Sequence, residues 1–307
     1  MTDAKEFQDR LLSLGLARVS EAAALASARL IGRGDEKAAE RSLLGGLAGS
    51  SLYVIGGRSS VGKTALACTI ARAACEYERT KRALVFSLEM PRRELVARWV
   101  AGLSGINSRS ILDKSVDVNA PAFVDALARF DRWPLSVDAS ERLTIGELCA
   151  RATVAHATRP LSLILVDYVQ LVRPNPGKAN ASREREVAEI SGELKALAKA
   201  LDVPVVALAQ LNRDSEKRDD KRPRLADLRE SDAIVHDADA VALLYREWLY
   251  DKSASPESAE IIVAKNRSGE CGTVKARYLA PLCTFADEDD RRPAFEVHEG
   301  GAEGEVY

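Results

Sequence analysis

Leu52-Tyr53-Val54-Ile55-Gly56-Gly57-Arg58-Ser59-Ser60-Val61-Gly62-Lys63-Thr64-Ala65-Leu66-Ala67-Cys68-Thr69-Ile70-Ala71 passes from an apolar, strand-like segment through a glycine-bounded loop into a helix-like one. Glycines at the two ends of the loop let backbone N–H groups converge on one point. The helix that follows presents its positive end there, so the loop is a cradle for phosphate. Within Gly57-Arg58-Ser59-Ser60-Val61-Gly62-Lys63-Thr64, the lysine reaches the β- and γ-phosphates of a nucleotide and the threonine hydroxyl holds Mg²⁺. The pattern is complete and stands between a strand and a helix, the setting that separates it from an ordinary turn.

Outward from this stretch, apolar runs at 52–55, 83–87, 161–166, 203–209, 240–245 and 261–264 alternate with helical segments. The runs are nearly all-apolar, as strands covered by helices on both faces are. The alternation predicts an α/β fold with a mostly parallel, doubly wound sheet, and places chemistry at the carboxyl ends of its strands. Ahead of this core, Leu11, Leu12, Leu14, Leu16, Val19, Ala22, Ala23 and Leu30 predict a short helical N-terminal extension over residues 1–45, packed on its own domain or on a neighbouring subunit. The core is expected over 46–286, and the acidic, Gly/Glu-rich segment 287–307 as a flexible tail.

The 307 residues, 46% hydrophobic and 29% charged, suit one large α/β domain with short extensions. No apolar run approaches the roughly 20 residues that cross a bilayer, and Met1-Thr2-Asp3-Ala4-Lys5-Glu6-Phe7 lacks the basic-then-apolar order of a secretory signal. A cytoplasmic protein without membrane contact is expected. Cys68, Cys75, Cys149, Cys271 and Cys283 form no Cys-x-x-Cys pair and no metal-ligand spacing with the histidines, and read as thiols in a reducing compartment. A net charge of −2 excludes a generally basic nucleic-acid-binding protein and confines polyanion contact to a local surface.

Several strand ends carry candidate chemistry. The run 161–166 delivers Asp167, as a buried ribbon does when it brings one carboxylate to Mg²⁺ beside a phosphate loop. Glu89, just past the run 83–87, either orients and deprotonates the water that attacks a γ-phosphate or caps the helix after Pro91. Gln210, ending the run 203–209, either senses the γ-phosphate or merely ends its strand. Lys265 and Arg267 precede Gly269 and a β-hairpin; without an acidic neighbour in sequence, they either neutralise a transferred phosphoryl group from an adjacent subunit or are solvated surface charge. Two loops, 174–183 with Lys178 and Arg183, and 213–224 with mixed charge, support nucleic-acid contact only weakly.

The ordered set of Gly57 to Thr64, Phe86-Ser-Leu-Glu-Met-Pro91, Ile164-Leu-Val-Asp-Tyr-Val-Gln-Leu171, Val205-Val-Ala-Leu-Ala-Gln-Leu-Asn-Arg213, Asp227-Leu-Arg-Glu-Ser231, Asp237-Ala-Asp239 and Ala264-Lys-Asn-Arg-Ser-Gly269 resembles the C-terminal RecA-like ATPase domain of DnaB-type replicative helicases, over roughly residues 44 to 285. The resemblance implies a RecA-like phosphate-loop NTPase that uses ATP and Mg²⁺, assembles as a homo-hexameric ring and moves single-stranded DNA 5′ to 3′. Lys63 and Thr64 would bind phosphate and Mg²⁺, Asp167 would support the metal, Glu89 would activate water, and Gln210 would link nucleotide state to the DNA loops. Lys265 and Arg267 would reach the neighbour's γ-phosphate, and Arg229 and Glu230 would lie along the DNA strand.

Three departures stand out. The resemblance begins near the first core strand, so the family's helical N-terminal domain is expected to be absent, which suggests a phage, plasmid or other mobile-element version with its own loader or primase. Gly34-Asp-Glu-Lys-Ala-Ala39 replaces the family's Gly-Phe-x-x-Leu-Asp, and Asp232 stands where the family has glycine after Arg-Glu-Ser, setting a carboxylate near a phosphate. Asp232 keeps open a second function class, a DnaB-like or RadA/KaiC-like ring ATPase in recombination, regulation or defence without processive unwinding. Intact Lys63, Glu89, Asp167 and Arg267 argue against a third, a non-enzymatic protein that joins or poisons a helicase ring.

Overall fold

In the computed structural model, which describes residues 46–175, 182–212 and 216–288, the strand feeding the phosphate loop, β1 (Leu52–Gly57), is the middle strand of nine. On one side lie β5 (Val205–Gln210), β4 (Leu161–Asp167), β2 (Arg82–Ser87) and β3 (Leu135–Asp138). On the other lie β6 (Ala240–Tyr245), β7 (Ser258–Asn266), β8 (Gly272–Leu279) and β9 (Thr284–Asp287). Neighbours among β1 to β6 pair in parallel, whereas β7, β8 and β9 pair antiparallel.

Helices supply the crossovers that parallel strands need. They are α1 (Lys63–Tyr77), α2 (Arg92–Ser104), α3 (Ser108–Leu112), α4 (Pro121–Asp131), α5 (Ile145–Thr158), α6 (Arg183–Leu201) and α7 (Asp232–Asp237). Because successive strand side chains point to opposite faces, each central strand feeds two cores. Tyr53, Ile55, Leu163 and Leu165 join Leu66 and Ile70 of α1 and Trp99 of α2. Leu52, Val54, Ile164 and Val166 join Ile145 of α5 and Ile190 and Leu194 of α6. This two-sided cover is why the strands read as continuous apolar runs. Among the described residues, no helix is long and apolar enough to cross a membrane.

The sequence expectations need three adjustments. The run 261–264 is covered less completely than the central strands: Ile261 and Val263 are buried in one core, while Ile262 and Ala264 pack against the other and stay partly exposed. Its hairpin partner is β8, as the Gly269 turn implies. Strand β5 starts at Val205 rather than 203, since Pro204 has no N–H to give the ladder and offers only its carbonyl, which accepts from Ile164 N–H at 3.0 Å. The final strand extends through Asp287, which is buried, so ordered structure passes the expected boundary at 286. Residues 1–45 and 289–307, which hold the expected extension and most of the expected tail, lie outside the described residues.

Strand β9 closes the fold over the phosphate loop. Phe285 is fully buried, its ring centroid 5.1 Å from that of Tyr278 on β8. A Cβ built on Gly62 would meet the Phe285 ring at 3.1 Å, at a residue whose φ of +110 already favours glycine. Phe285→Ala is therefore expected to destabilise the protein by about 3–5 kcal/mol in urea unfolding, the cost of an emptied aromatic site. A loss below about 1 kcal/mol would show that β9 does not pack on the loop as described.

Candidate phosphate-binding and catalytic site

Parallel pairing brings four strand ends to one edge of the sheet. Gly57 of β1 is paired with Gln210 of β5, and Ser87 of β2 with Asp167 of β4. Leu88 N–H donates to the Asp167 carbonyl at 2.8 Å, which carries Glu89 to the same edge. The phosphate loop, Asp167, Glu89 and Gln210 thus share one face, although more than 150 residues separate the first from the last.

Gly62 caps α1 in left-handed conformation, with Ser60 also at positive φ, so the loop wraps the helix start. A Cβ on Gly57 would strike Val61 at 2.6 Å, which explains the loop's first glycine. Lys63 Nζ donates to the carbonyls of Gly57 and Arg58, both at 2.9 Å, and lies across the cradle. Burial lowers the Lys63 pKa to about 8, against the attraction of Asp167 and Glu89. A desolvated ammonium of this kind gains most from an anion placed on it.

The Thr64 hydroxyl donates to Asp167 Oδ2 at 2.9 Å, and Asp167 is only 2% exposed. Desolvation pushes its carboxyl up to about 6; the Thr64 hydrogen bond opposes the shift and the charge of Glu89 adds to it. A buried carboxylate beside a hydroxyl, facing a phosphate cradle, offers the hard oxygen ligands that Mg²⁺ takes together with phosphate and water. Thr64 and Asp167 therefore fit that ion.

Glu89 is exposed, and α2 starts at Arg92 with no side-chain cap. The helix-capping alternative has no support, and the carboxylate faces the same site as Lys63 and Asp167. Gln210 is exposed as well, with its main chain clamped by Gln170: Gln170 Nε2 donates to the Gln210 carbonyl and Gln210 N–H donates to Gln170 Oε1, both at 3.2 Å. Arg183 Nη2 in turn donates to the Gln170 carbonyl at 2.8 Å. Sequence reasoning passed over Gln170, although it lies three residues beyond Asp167.

Two further residues were missed. Arg246, at the end of β6, is 5% exposed and places its guanidinium 4.4 Å from the Tyr278 ring centroid, with Nη1 donating to the Ser60 carbonyl at 3.5 Å. Together they wall the loop on its β8–β9 flank. Neither was legible, because the contact joins segments that have no fixed spacing.

Lys265 and Arg267 are not at this face. Lys265 pairs with Val241 of β6, and Arg267 N–H donates to the carbonyl of Asp239, whose own N–H donates to Leu52. Arg267 is level with the start of β1, five residues from Gly57, or about 16 Å at a strand's rise. No acidic residue adjoins them in sequence, but the fold brings one from a distance: Arg267 Nη1 lies 3.5 Å from Asp239. Burial comes first in lowering the Lys265 pKa, with the charge of Arg267 adding to it.

In the mixed-charge loop, cations are tied to the chain's own acids. Arg218 holds Asp227 through two bonds of 2.9 Å, Arg222 holds Glu260 at 2.7 and 2.8 Å, and Arg58 holds Glu216 at 2.6 Å. Arg213 and Lys178 lie outside the described residues. The main chain of Arg229 and Glu230 runs in the 3-10 segment Leu225–Ser231, and Asp232 opens α7; their side chains are outside what is described.

A family model described as DnaB-like helicase C terminal domain matches residues 40–287. The replicative DNA helicase DnaB of Pasteurella multocida is 41% identical over 255 residues, covering 80% of this chain and 53% of that protein. Its counterpart in Geobacillus stearothermophilus is 34% identical over 253 residues, covering 82% and 55%. The chain spans about half the length of the curated relatives it matches. Among solved structures, one described as an ATPase domain superimposes with a TM-score of 0.74 at 31% identity, covering 80% of this chain and 87% of that one. A DnaB-like replicative helicase, described with its interactions with primase, gives 0.75 at 31%, covering 81% and 59%. The α/β fold is thus the RecA-like one that the sequence implies.

A site of this construction makes a specific demand on Glu89. Glu89→Gln is expected to bind Mg-ATP with nearly unchanged affinity and to lose hydrolysis by about 10²–10⁴-fold, since the amide keeps the shape and cannot take a proton. Calorimetric binding alongside a phosphate-release assay checks this; a collapse of affinity would make Glu89 structural.

Proposed function

Because the chain belongs to the family of DnaB-like helicase C-terminal domains, we propose that it is the motor of a replicative DNA helicase, hydrolysing ATP between adjoining copies of a homo-hexameric ring and drawing single-stranded DNA through the centre 5′ to 3′. The observation that carries this reading is the separation of the two charge sets. Lys63, Asp167, Glu89 and Gln210 stand at one edge of the sheet, and Lys265 and Arg267 at the opposite edge, out of reach of their own phosphate loop. Cations so placed serve a nucleotide bound by a neighbour.

In the proposed cycle, backbone N–H groups from Gly57, Arg58, Ser59, Ser60, Val61 and Gly62 cradle the phosphates and Lys63 pairs with the β- and γ-oxygens. Thr64 and Asp167 would hold Mg²⁺, which when bound would neutralise charge on the phosphate oxygens. Glu89 takes the proton of the attacking water. The neighbour's Arg267 and Lys265 stabilise the charge that spreads over the transferred group. Gln210 gains or loses a hydrogen bond as the γ-phosphate leaves, and the Gln170 clamp passes that change to the segments on either side. Arg229 and Glu230 lie along the DNA strand. The setting is the cytoplasm, and primase or a helicase loader is the proposed partner; primase appears in the description of one solved relative.

Asp232 favours a second reading, a ring ATPase in recombination, regulation or defence that does not unwind processively. It opens α7 directly after Arg229-Glu230-Ser231, where a carboxylate repels DNA phosphates.

Complementation tests the shared site. Arg267→Ala is expected to leave nucleotide binding by isolated subunits intact and to cut hydrolysis on the order of 10³–10⁵-fold. Mixed with Lys63→Ala subunits, it should regain activity at interfaces that pair an intact loop with an intact Arg267. No recovery in rings shown by mass to contain both subunits would falsify the inter-subunit site.

A second test separates the two functions. Asp232→Gly should tighten binding of a short single strand and Arg229→Ala should loosen it, in fluorescence anisotropy, with both effects shrinking as salt screens exposed charge over roughly 8 Å at physiological strength. Unchanged affinity in both variants would turn the choice towards the non-unwinding ring.

A further inference from the structure

Asp239 stands at the turn between α7 and β6 and is engaged on every side. Its Oδ2 accepts from Leu52 N–H at 2.8 Å and from Lys195 Nζ of α6 at 2.5 Å, while Oδ1 faces Arg267 Nη1 at 3.5 Å. Its main chain repeats the links, with N–H donating to the Leu52 carbonyl and carbonyl accepting from Arg267 N–H, both at 2.8 Å. One residue thus joins the start of the phosphate-loop strand, the face of α6 and the residue that follows β7.

The remaining contacts of the two cations come from the end of α7. Arg267 Nη2 donates to the His236 carbonyl at 2.6 Å, and Lys265 Nζ donates to the carbonyls of Val235 and His236 at 2.6 and 3.1 Å. Last-turn carbonyls carry the helix's negative end and have no further partner within it, so they suit cations. Burial pushes the Asp239 carboxyl up, but the hydrogen bonds from Lys195 and Leu52 and the charges of Lys195 and Arg267 outweigh it and hold the group below its ordinary value, hence ionised. The Arg267 side chain itself is 46% exposed. Without fixed partners, a long side chain so exposed would sample many directions.

We infer that Asp239 is a positioning residue for Arg267: its carboxylate, with the terminal carbonyls of α7, forms a socket that aims the guanidinium outward from the sheet edge towards the nucleotide of the adjoining copy. The inference rests on the shared-site reading proposed above. Asparagine at 239 keeps an oxygen for Leu52 N–H but removes the negative charge and can set an NH₂ group against the guanidinium, donor against donor. The main-chain links survive, so the defect falls on the aim of Arg267.

Complementation distinguishes this role from damage to the core. D239N should bind ATP normally and hydrolyse it at least about tenfold more slowly, a part of the effect credited to finger arginines. Mixed with Lys63→Ala subunits it should recover activity, because the partner supplies an intact Arg267 socket to its intact loop. Mixed with Arg267→Ala subunits it should not, because every interface then lacks a properly presented Arg267. Lys195→Met, which removes the other cation from Asp239, should hydrolyse ATP at nearly the wild-type rate.

Wild-type hydrolysis by D239N would overturn the inference. So would recovery with Arg267→Ala but not with Lys63→Ala, which would place the damage in β1, and so would recovery with neither in assembled mixed rings. If D239N fails to assemble, Asp239→Glu, longer by one methylene with its charge retained, should show the same complementation pattern. The shared-site reading fails separately, when Arg267→Ala and Lys63→Ala do not restore one another. If they do and D239N breaks the pattern, only the role of Asp239 falls.

Discussion

Parallel pairing of β1 with both β5 and β6 is the constraint on which the rest of the molecule depends. Parallel strands send their carboxyl ends to one edge, and each return crossing must be long enough to hold a helix. Gly57, Ser87, Asp167 and Gln210 are therefore collected at one edge, and the two faces of the sheet become two buried cores. Functional residues far apart in sequence converge for a reason that has nothing to do with their chemistry.

The same constraint explains the division of charge. After β6 the chain returns antiparallel, so β7 ends beside the beginning of β6, level with the beginning of β1, and Lys265 and Arg267 emerge at the edge opposite the phosphate loop. In a single copy they rest on Asp239 and on the end of α7, the short helix that begins where Arg229-Glu230-Ser231 ends. Hairpin and helix thus connect the segment proposed to face DNA to the cations proposed to serve a neighbour. β8 and β9 then fold back over the loop, where Phe285 and Tyr278 press on Gly62 and Arg246 stacks on Tyr278.

Part of the charge in the loop after Gln210 is paired within the protein. Arg58 reaches from the phosphate loop to Glu216 and to the Leu211 carbonyl, Arg218 grips buried Asp227, and Arg222 lies 4.9 Å from the Tyr245 ring centroid while holding Glu260. Such bonds help fix the course of the loop beside the site.

The fold class, the phosphate loop and the strand-end residues Glu89, Asp167 and Gln210 were legible in the sequence because each depends on local pattern: an apolar run buried on both faces, a turn that only glycine permits, a polar residue where a strand stops. The partial exposure of β7 and the position of β9 were not, because how fully an antiparallel strand is covered depends on elements distant in sequence. Only the tertiary structure decided that Lys265 and Arg267 face away from their own loop, that Asp239 is the partner of Arg267, and that Gln170, Arg246 and Tyr278 frame the site. Those facts follow from strand direction and register, which join residues across the sheet at separations that no spacing along the chain records.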